Sequence, residues 1–214
     1  MKNLRWMKNF WMAFLAIVFV TFSVWYGGNG KPLSKEEGNR LIADLRAAYE
    51  NSPERDSGFA ENLEEMIPRD DGKEFYAVNL EKLKAGDAAR DADRAYTNVV
   101  FPLLIKRGGH PVFVSDRAGL MLGEYGNEVD RVSVVRYRSL RDLIDMAKAP
   151  AMIANSHHKF DALEHTEVFI TRPTITFVHI RVMLALFLIL FGWLGLRALN
   201  WIAGRRDEPL ITES

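Results

Sequence analysis

Two uncharged apolar stretches lie near the ends of the 214-residue chain, around a charge-rich middle whose pattern runs strand, helix, strand, strand, helix, strand. Together they predict an α+β fold, a ferredoxin-like β-α-β-β-α-β domain held between two transmembrane helices. The near-neutral overall composition hides this division, because the apolar residues are concentrated at the two ends. The expected organisation is a cytoplasmic N-terminus (1–9), a first span (10–27), a membrane-proximal helical segment (28–72), the ferredoxin-like domain (73–173), a connector (174–181), a second span (182–204) and a cytoplasmic tail (205–214).

The first stretch, FWMAFLAIVFVTFSVWY, is uncharged, and as a helix rising about 1.5 Å per residue it reaches roughly 25 Å, close to the hydrocarbon thickness of a bilayer. Trp6, Trp11, Trp25 and Tyr26 sit near its ends, where amphipathic rings favour the headgroup level. A cleaved signal peptide is the competing reading, since Lys2, Arg5 and Lys8 form a basic leader. The run passes directly into Trp25 and Tyr26 with no A-x-A-like site behind it, which favours a retained anchor. The second stretch, VMLALFLILFGWLGL, is short by itself, and RALNWIAG extends it to Gly204 if Arg197 snorkels to the interface. A buried core helix or a helix lying on the membrane surface is the alternative there. Trp193, Trp201 and the Arg205-Arg206 pair favour spanning. Basic residues flank the first span on its N-terminal side and the second on its C-terminal side, so both termini are expected in the cytoplasm and the middle domain outside. The expected location is the inner (plasma) membrane, with a periplasmic or extracellular domain.

That domain has a slight acidic excess and no basic run, which argues against nucleic-acid binding. It has no cysteine, so a packed core and not a disulfide must hold it. After a Gly-rich exit, Ser34 with Glu37 three residues later has capping-box spacing, and Leu41, Ile42, Leu45 and Tyr49 follow at helical intervals. SPERDSG reads as a turn and FAENLEEMI as a short amphipathic helix ending at Pro68. Asp70-Asp71-Gly72 is a tight-turn signal.

EFYAVNLEKL is the first strand, apolar on both parities. DAARDADRAYTNVVFPLLIKRGG is a helix kinked by Pro102 and ended by Gly108-Gly109. HPVFVSD is a strand, continued or bent through GLMLGEY. EVDRVSVVRYRS is the third strand and SLRDLIDMAKA the next helix, with Leu140, Leu143, Ile144 and Ala147 on one face. After Pro150, AMIANSHHKFDALEH resumes helix, and TEVFITRP closes the sheet. This order places both helices on one face of an antiparallel sheet. The other face still carries apolar residues and needs a cover, most simply the same sheet of a second subunit.

The pieces FYAVNLEKLK, AYTNVVFPLLIKRGG, RVSVVRYRSLRDLIDMAKAPAM and HHKFDALEHTEVFITRP, in this order, resemble the DUF1330-like members of the dimeric α/β-barrel superfamily over roughly 73–173. The signature combines Asn79-Leu80, Pro102 within the first helix, the Gly-Gly stop, Arg136-Tyr137 followed by S-x-x-D, and A-L-E-x-T. The resemblance implies two subunits facing each other sheet to sheet, with a cleft between sheet and helices in each. It also implies a superfamily of monooxygenases, haem-degrading enzymes and isomerases, which does not fix a reaction. Its members are usually soluble, so the two spans depart from the pattern.

Three of the five histidines lie in HHKFDALEHTEVFI. On one helix His157, Asp161 and His165 would form a stripe, but His157 and His165 would stand roughly 12 Å apart along its axis, too far to share an ion. No metal is expected. His157 or His158 facing the cleft would instead suit a substrate or a haem, the one cofactor the residues leave open. His110 is read as a strand-start residue and His179 as a membrane-boundary one. Tyr76, Asn79, Arg136 and Tyr137 are polar positions in apolar strands, so each joins an internal network or lines the cleft. Asn79 with an arginine or tyrosine of the third strand would orient a small, largely apolar ligand. No phosphate loop, G-x-S-x-G, H-E-x-x-H or cysteine nucleophile is present. Gly192 and Gly195 allow close helix contact in the second span, with incidental small residues as the alternative. The expected function is that of a membrane-anchored accessory or assembly protein: its homodimeric domain binds a partner protein or a small hydrophobic ligand, in contact with the bilayer and with a larger membrane complex as a further partner. The alternative is a membrane-tethered oxygenase-like or haem-handling enzyme.

Overall fold

A computed structural model describes residues 2–50, 52, 57–176 and 179–206. The expected turn at 52–58 and the end of the C-terminal tail, from 207, fall largely outside the described residues. The chain forms two compact units. One contains two long helices, α1 (Lys2–Gly27) and α8 (Ile180–Arg206), and the other is Tyr26–Ile175. Both helices are long and apolar enough to cross a membrane, over Asn3–Gly27 and Ile180–Ala203. Within their unit, Gly195 lies against the indole of Trp11 with no room for a Cβ, and a Cβ on Gly192 would stand 3.1 Å from Leu15. The small residues of GWLG are thus where α1 and α8 touch, with the ring of Trp11 5.2 Å from that of Phe191.

The second unit begins with helices α2 (Lys35–Ala48) and α3 (Phe59–Met66). The Ser34 hydroxyl accepts from the Glu37 amide and caps α2, with Glu36 and Glu37 in its first turn. Then come β1 (Phe75–Leu83), α4 (Asp87–Lys106), β2 (His110–Asp116), β3 (Arg131–Tyr137), α5 (Leu140–Ala147), α6 (Pro150–Asn155), α7 (His157–Ala162) and β4 (Leu163–Thr171). The sheet is antiparallel in the order β2-β3-β1-β4, so one strand separates β1 from β2 and the fold is ferredoxin-like.

Two segments differ from expectation. The helix after Pro150 breaks at Ser156 into α6 and α7, and Leu163 is already extended at the end of α7. His165 therefore stands on β4 opposite Lys82, not on a helix with His157. The tertiary pairing of 163–171 with β1 overrides a helical reading that rested on composition alone. Similarly, GLMLGEY does not extend β2. The chain leaves the sheet at Asp116, turns through Gly123 at φ +85°, and forms a short 3-10 turn at Tyr125–Glu128. Leu120, Met121, Leu122 and Tyr125 are exposed on this loop.

Strand alternation sorts the sheet into rows, since directly paired residues share a face. Phe75 and Ala77 of β1, Val135 and Tyr137 of β3, and Ile170 of β4 belong to the helix-covered side. Phe75 stacks on Tyr137 at 5.4 Å. Around it the core packs Leu41, Ile42, Leu45, Leu63, Leu104, Leu140, Leu143 and Ile144. The Tyr49 hydroxyl donates to the Ala147 carbonyl at 2.9 Å, joining α2 to α5.

The opposite face is exposed on its edge strands. Its central row, Phe113, Val134, Val78 and Phe169, takes one apolar side chain from each strand in sheet order. The two edge phenylalanines are 49% and 44% exposed. Toward one end of this face Arg136 is buried to 1% exposure. Its guanidinium donates to Glu74, to the Gly108 carbonyl at 2.6 Å and to the Tyr26 carbonyl at 3.0 Å, and it lies 3.7 Å over the Tyr26 ring. The Tyr26 hydroxyl reaches His110 Nε2 at 3.0 Å. This buried charge is paired and its donors are occupied, so it fastens the incoming chain at Tyr26 to the sheet.

At the start of α5, Ser139 accepts from the Asp142 amide at 3.2 Å and donates to the Asp142 carboxylate at 2.6 Å. Replacement of Ser139 by alanine is expected to lower unfolding stability by about 1 kcal/mol, read by chemical denaturation of the detergent-solubilised protein.

Candidate functional site

The last row on the helix-covered face is polar from edge to edge: Asp116 on β2, Arg131 on β3, Glu81 on β1 and Thr166 on β4. A row of this kind is costly under helices unless its charges are paired. Arg131 does the pairing. Its Nε donates to Glu81 at 2.6 Å, and its two terminal nitrogens donate to Asp93 on α4 at 2.8 and 2.7 Å. Hydrogen bonding from Arg131 holds the Asp93 carboxyl below the usual aspartate range, against the opposing effect of burial. The same bonds raise the Arg131 pKa.

Around this bridge stand polar groups that find no hydrogen-bond partner among the described residues. Thr166 Oγ1 is buried and unpaired. Tyr96, on the α4 stripe with Asp93, feels Tyr137, Glu81 and Tyr49, and burial raises its pKa. Burial pushes Tyr137 up to about 12. Lys159 of α7 is half-buried, with the buried Ser156 and Ala162 three residues either side of it. Burial lowers its pKa, Arg131 lowers it further, and Glu81 opposes both. Tyr96, Tyr137 and Lys159 each keep some accessible surface. The arrangement offers hydroxyl and amine donors beside a closed Arg-carboxylate bridge.

The residues singled out by sequence divide between the two faces, because alternation along a strand sends neighbours to opposite sides. Asn79 and Tyr137 face the helices. Asn79 donates to the Ser133 carbonyl at 3.2 Å, one row from the Glu81 row. Tyr76 and Arg136 belong to the uncovered face, paired in register with each other. The Tyr76 hydroxyl is raised in pKa first by burial and then by Glu74. His157 is exposed and His158 half-buried, with ring centroids 4.1 Å apart, and His158 Nδ1 is 3.9 Å from Asp161. Ligand atoms of His157, His158 and Asp161 fall within 4.8 Å of one another, but the imidazoles rest on each other and Asp161 is open to solvent. We assign no metal to them. No histidine stands in the polar row, so it offers a haem no axial imidazole.

Sequence reasoning passed over Glu81, Asp93, Tyr96, Arg131, Lys159 and Thr166. The available signal was parity: Glu81 shares that of Asn79 and Phe75. The partners on β3, β4, α4 and α7 become visible only through the register.

No protein-family model matches the chain, and none of the curated proteins matches it. Among solved structures, a protein of unknown function from Rhodopseudomonas palustris is similar at 20% identity and a TM-score of 0.49, over 54% of this chain and 94% of that one. A hydroxynitrile lyase from Passiflora edulis aligns at 13% identity and a TM-score of 0.38, over 50% and 99%. A dimeric protein of unknown function with a ferredoxin-like fold from Bacteroides fragilis aligns at 13% identity and a TM-score of 0.33, over 47% and 96%. At these identities and TM-scores none of them assigns a function.

Replacement of Arg131 by methionine leaves two partly buried carboxylates unpaired. The expected cost is about 2–3 kcal/mol, below that of a fully buried pair because Asp93 keeps some water. Asp93 titrates below its unfolded value, so its contribution is fully present above about pH 4 and is lost as pH falls through the folded pKa. In the variant that acid-range loss should be smaller, as read from denaturation midpoints between pH 3 and 7.

Proposed function

We propose that the chain is a two-span plasma-membrane protein with both termini in the cytoplasm and a periplasmic or extracellular domain that acts as a homodimer. In this reading it is an accessory protein related in design to the DUF1330-like dimeric α/β-barrels, and it binds a small, largely apolar ligand between sheet and helices. The observation that carries this reading is the uncovered row of Phe113, Val134, Val78 and Phe169. A second copy, laid sheet on sheet, would cover that row, and each buried aromatic or branched side chain would contribute roughly 1.5–3 kcal/mol. The buried, unpaired Thr166 hydroxyl in the row of Arg131 supports the ligand. The exposed Leu120, Met121, Leu122 and Tyr125 of the β2–β3 loop support a further contact with a membrane assembly.

In mild detergent at micromolar concentration the protein is expected to have the mass of a dimer by light scattering. Phe169→Asp is expected to give a monomer with unchanged far-UV dichroism. A wild-type monomer with a folded domain would overturn the homodimer.

A further inference from the structure

We propose that the β2–β3 loop is an arm that clasps a second copy of this chain, so that the apolar row and the loop form one dimer interface. The inference rests on the homodimer reading above and names the partner that the loop meets. Three observations carry it. First, the row is too small to hold a dimer by itself. A fully exposed aromatic side chain offers about 200 Å², so Phe113 and Phe169, at 49% and 44% exposure, offer roughly 200 Å² together, against about 800 Å² per partner in a stable interface. Met121, Leu122 and Tyr125 of the loop are each more than nine-tenths exposed, and with Leu120 they add roughly 500–600 Å² of mostly apolar surface. Row and arm together approach the area that a lasting dimer needs.

Second, the two surfaces are continuous. The loop follows directly from β2, which places Phe113 in the row, and between row and loop the same face carries Leu80 paired with Val132. The links to the two spans lie at the other end of the strands. Tyr26 accepts from Arg136, and β4 ends at Thr171 opposite Tyr76, which pairs with Arg136. The loop joins β2 and β3 at Asp116 and Arg131, and from Arg131 to Arg136 is about 17 Å along β3. The loop thus belongs to the end of the domain away from its links to the spans, and a protein surface fits it better than the lipid beside them.

Third, the arm is preformed. The Arg117 amide donates to the Asp130 carbonyl at 2.7 Å, and the Asp130 amide donates to the Glu81 carbonyl at 2.8 Å. The Asp130 carboxylate accepts from the Leu83 amide at 3.0 Å, which ties the base of the loop to β1. Further out, the Asn127 amide donates to the Glu124 carbonyl at 3.0 Å in the 3-10 turn. A segment already ordered loses little freedom on docking, so the burial of its apolar side chains goes into association. In a two-fold dimer each such contact occurs twice, once from each arm.

Tyr125 of the full-length protein is replaced by photoreactive p-benzoylphenylalanine, and isotopically light and heavy chains are mixed and illuminated in mild detergent at micromolar concentration. The expected product is a covalent dimer in which position 125 of one copy is joined to a peptide of the other. Leu122→Ser is expected to raise the Kd of the dimer at least about tenfold. Its far-UV dichroism and monomer denaturation midpoint should stay unchanged, because Leu122 is 92% exposed in the single chain. A dimer that gives no cross-link between copies and keeps its Kd in Leu122→Ser overturns the arm and leaves the homodimer standing. Cross-links confined to one chain overturn the arm as well, and a wild-type monomer overturns both readings.

Discussion

Arg131 connects three elements that are far apart in sequence. It sits on β3, bonds Glu81 on β1 and clamps Asp93 on α4. A guanidinium is suited to this because its planar fork serves two carboxylates at once and it stays ionised in a partly dry setting. Without it, two acids would be left beneath the helices, and the register of β1 on β3 would bring an acidic residue under α4 with no counter-charge. The bridge therefore ties α4 to the sheet through Asp93.

The two faces of the sheet meet the burial problem differently. The covered face packs Phe75 on Tyr137 and fills most of its area with the side chains of α2, α4 and α5, leaving its polar row at one end. The other face carries its charge at the opposite end, where Arg136 is surrounded by Tyr26, Glu74 and the Gly108 carbonyl, and leaves an apolar row between its polar ends. Apolar rows that span a whole sheet are rare on surfaces meant for water. The proposed dimer through that row and the proposed ligand behind the sheet would use opposite faces of a single four-stranded layer.

Much of the architecture was legible because it rests on local signals. The Ser34 and Ser139 caps, Pro150 at a helix start and the Gly108-Gly109 stop mark element ends through backbone chemistry that needs no distant partner. The long apolar runs of α1 and α8 are equally local properties. His165 was misplaced because AMIANSHHKFDALEH has helix-compatible composition to its end, and only pairing with Lys82 makes the last residues a strand. GLMLGEY was misplaced for the converse reason: its apolar residues suggest a strand, but no neighbouring strand pairs with it.

The sequence by itself determined the ferredoxin-like order of elements, the two membrane-length helices and the presence of apolar residues on both parities of β1, because caps, helix breakers and hydropathy act within a few residues. Only the tertiary structure decided that Asn79 and Tyr137 face the helices while Tyr76 and Arg136 do not, and that His165 stands on a strand opposite Lys82. Those outcomes depend on strand register and on which helix face meets the sheet, and a shift of one residue in either would reverse them.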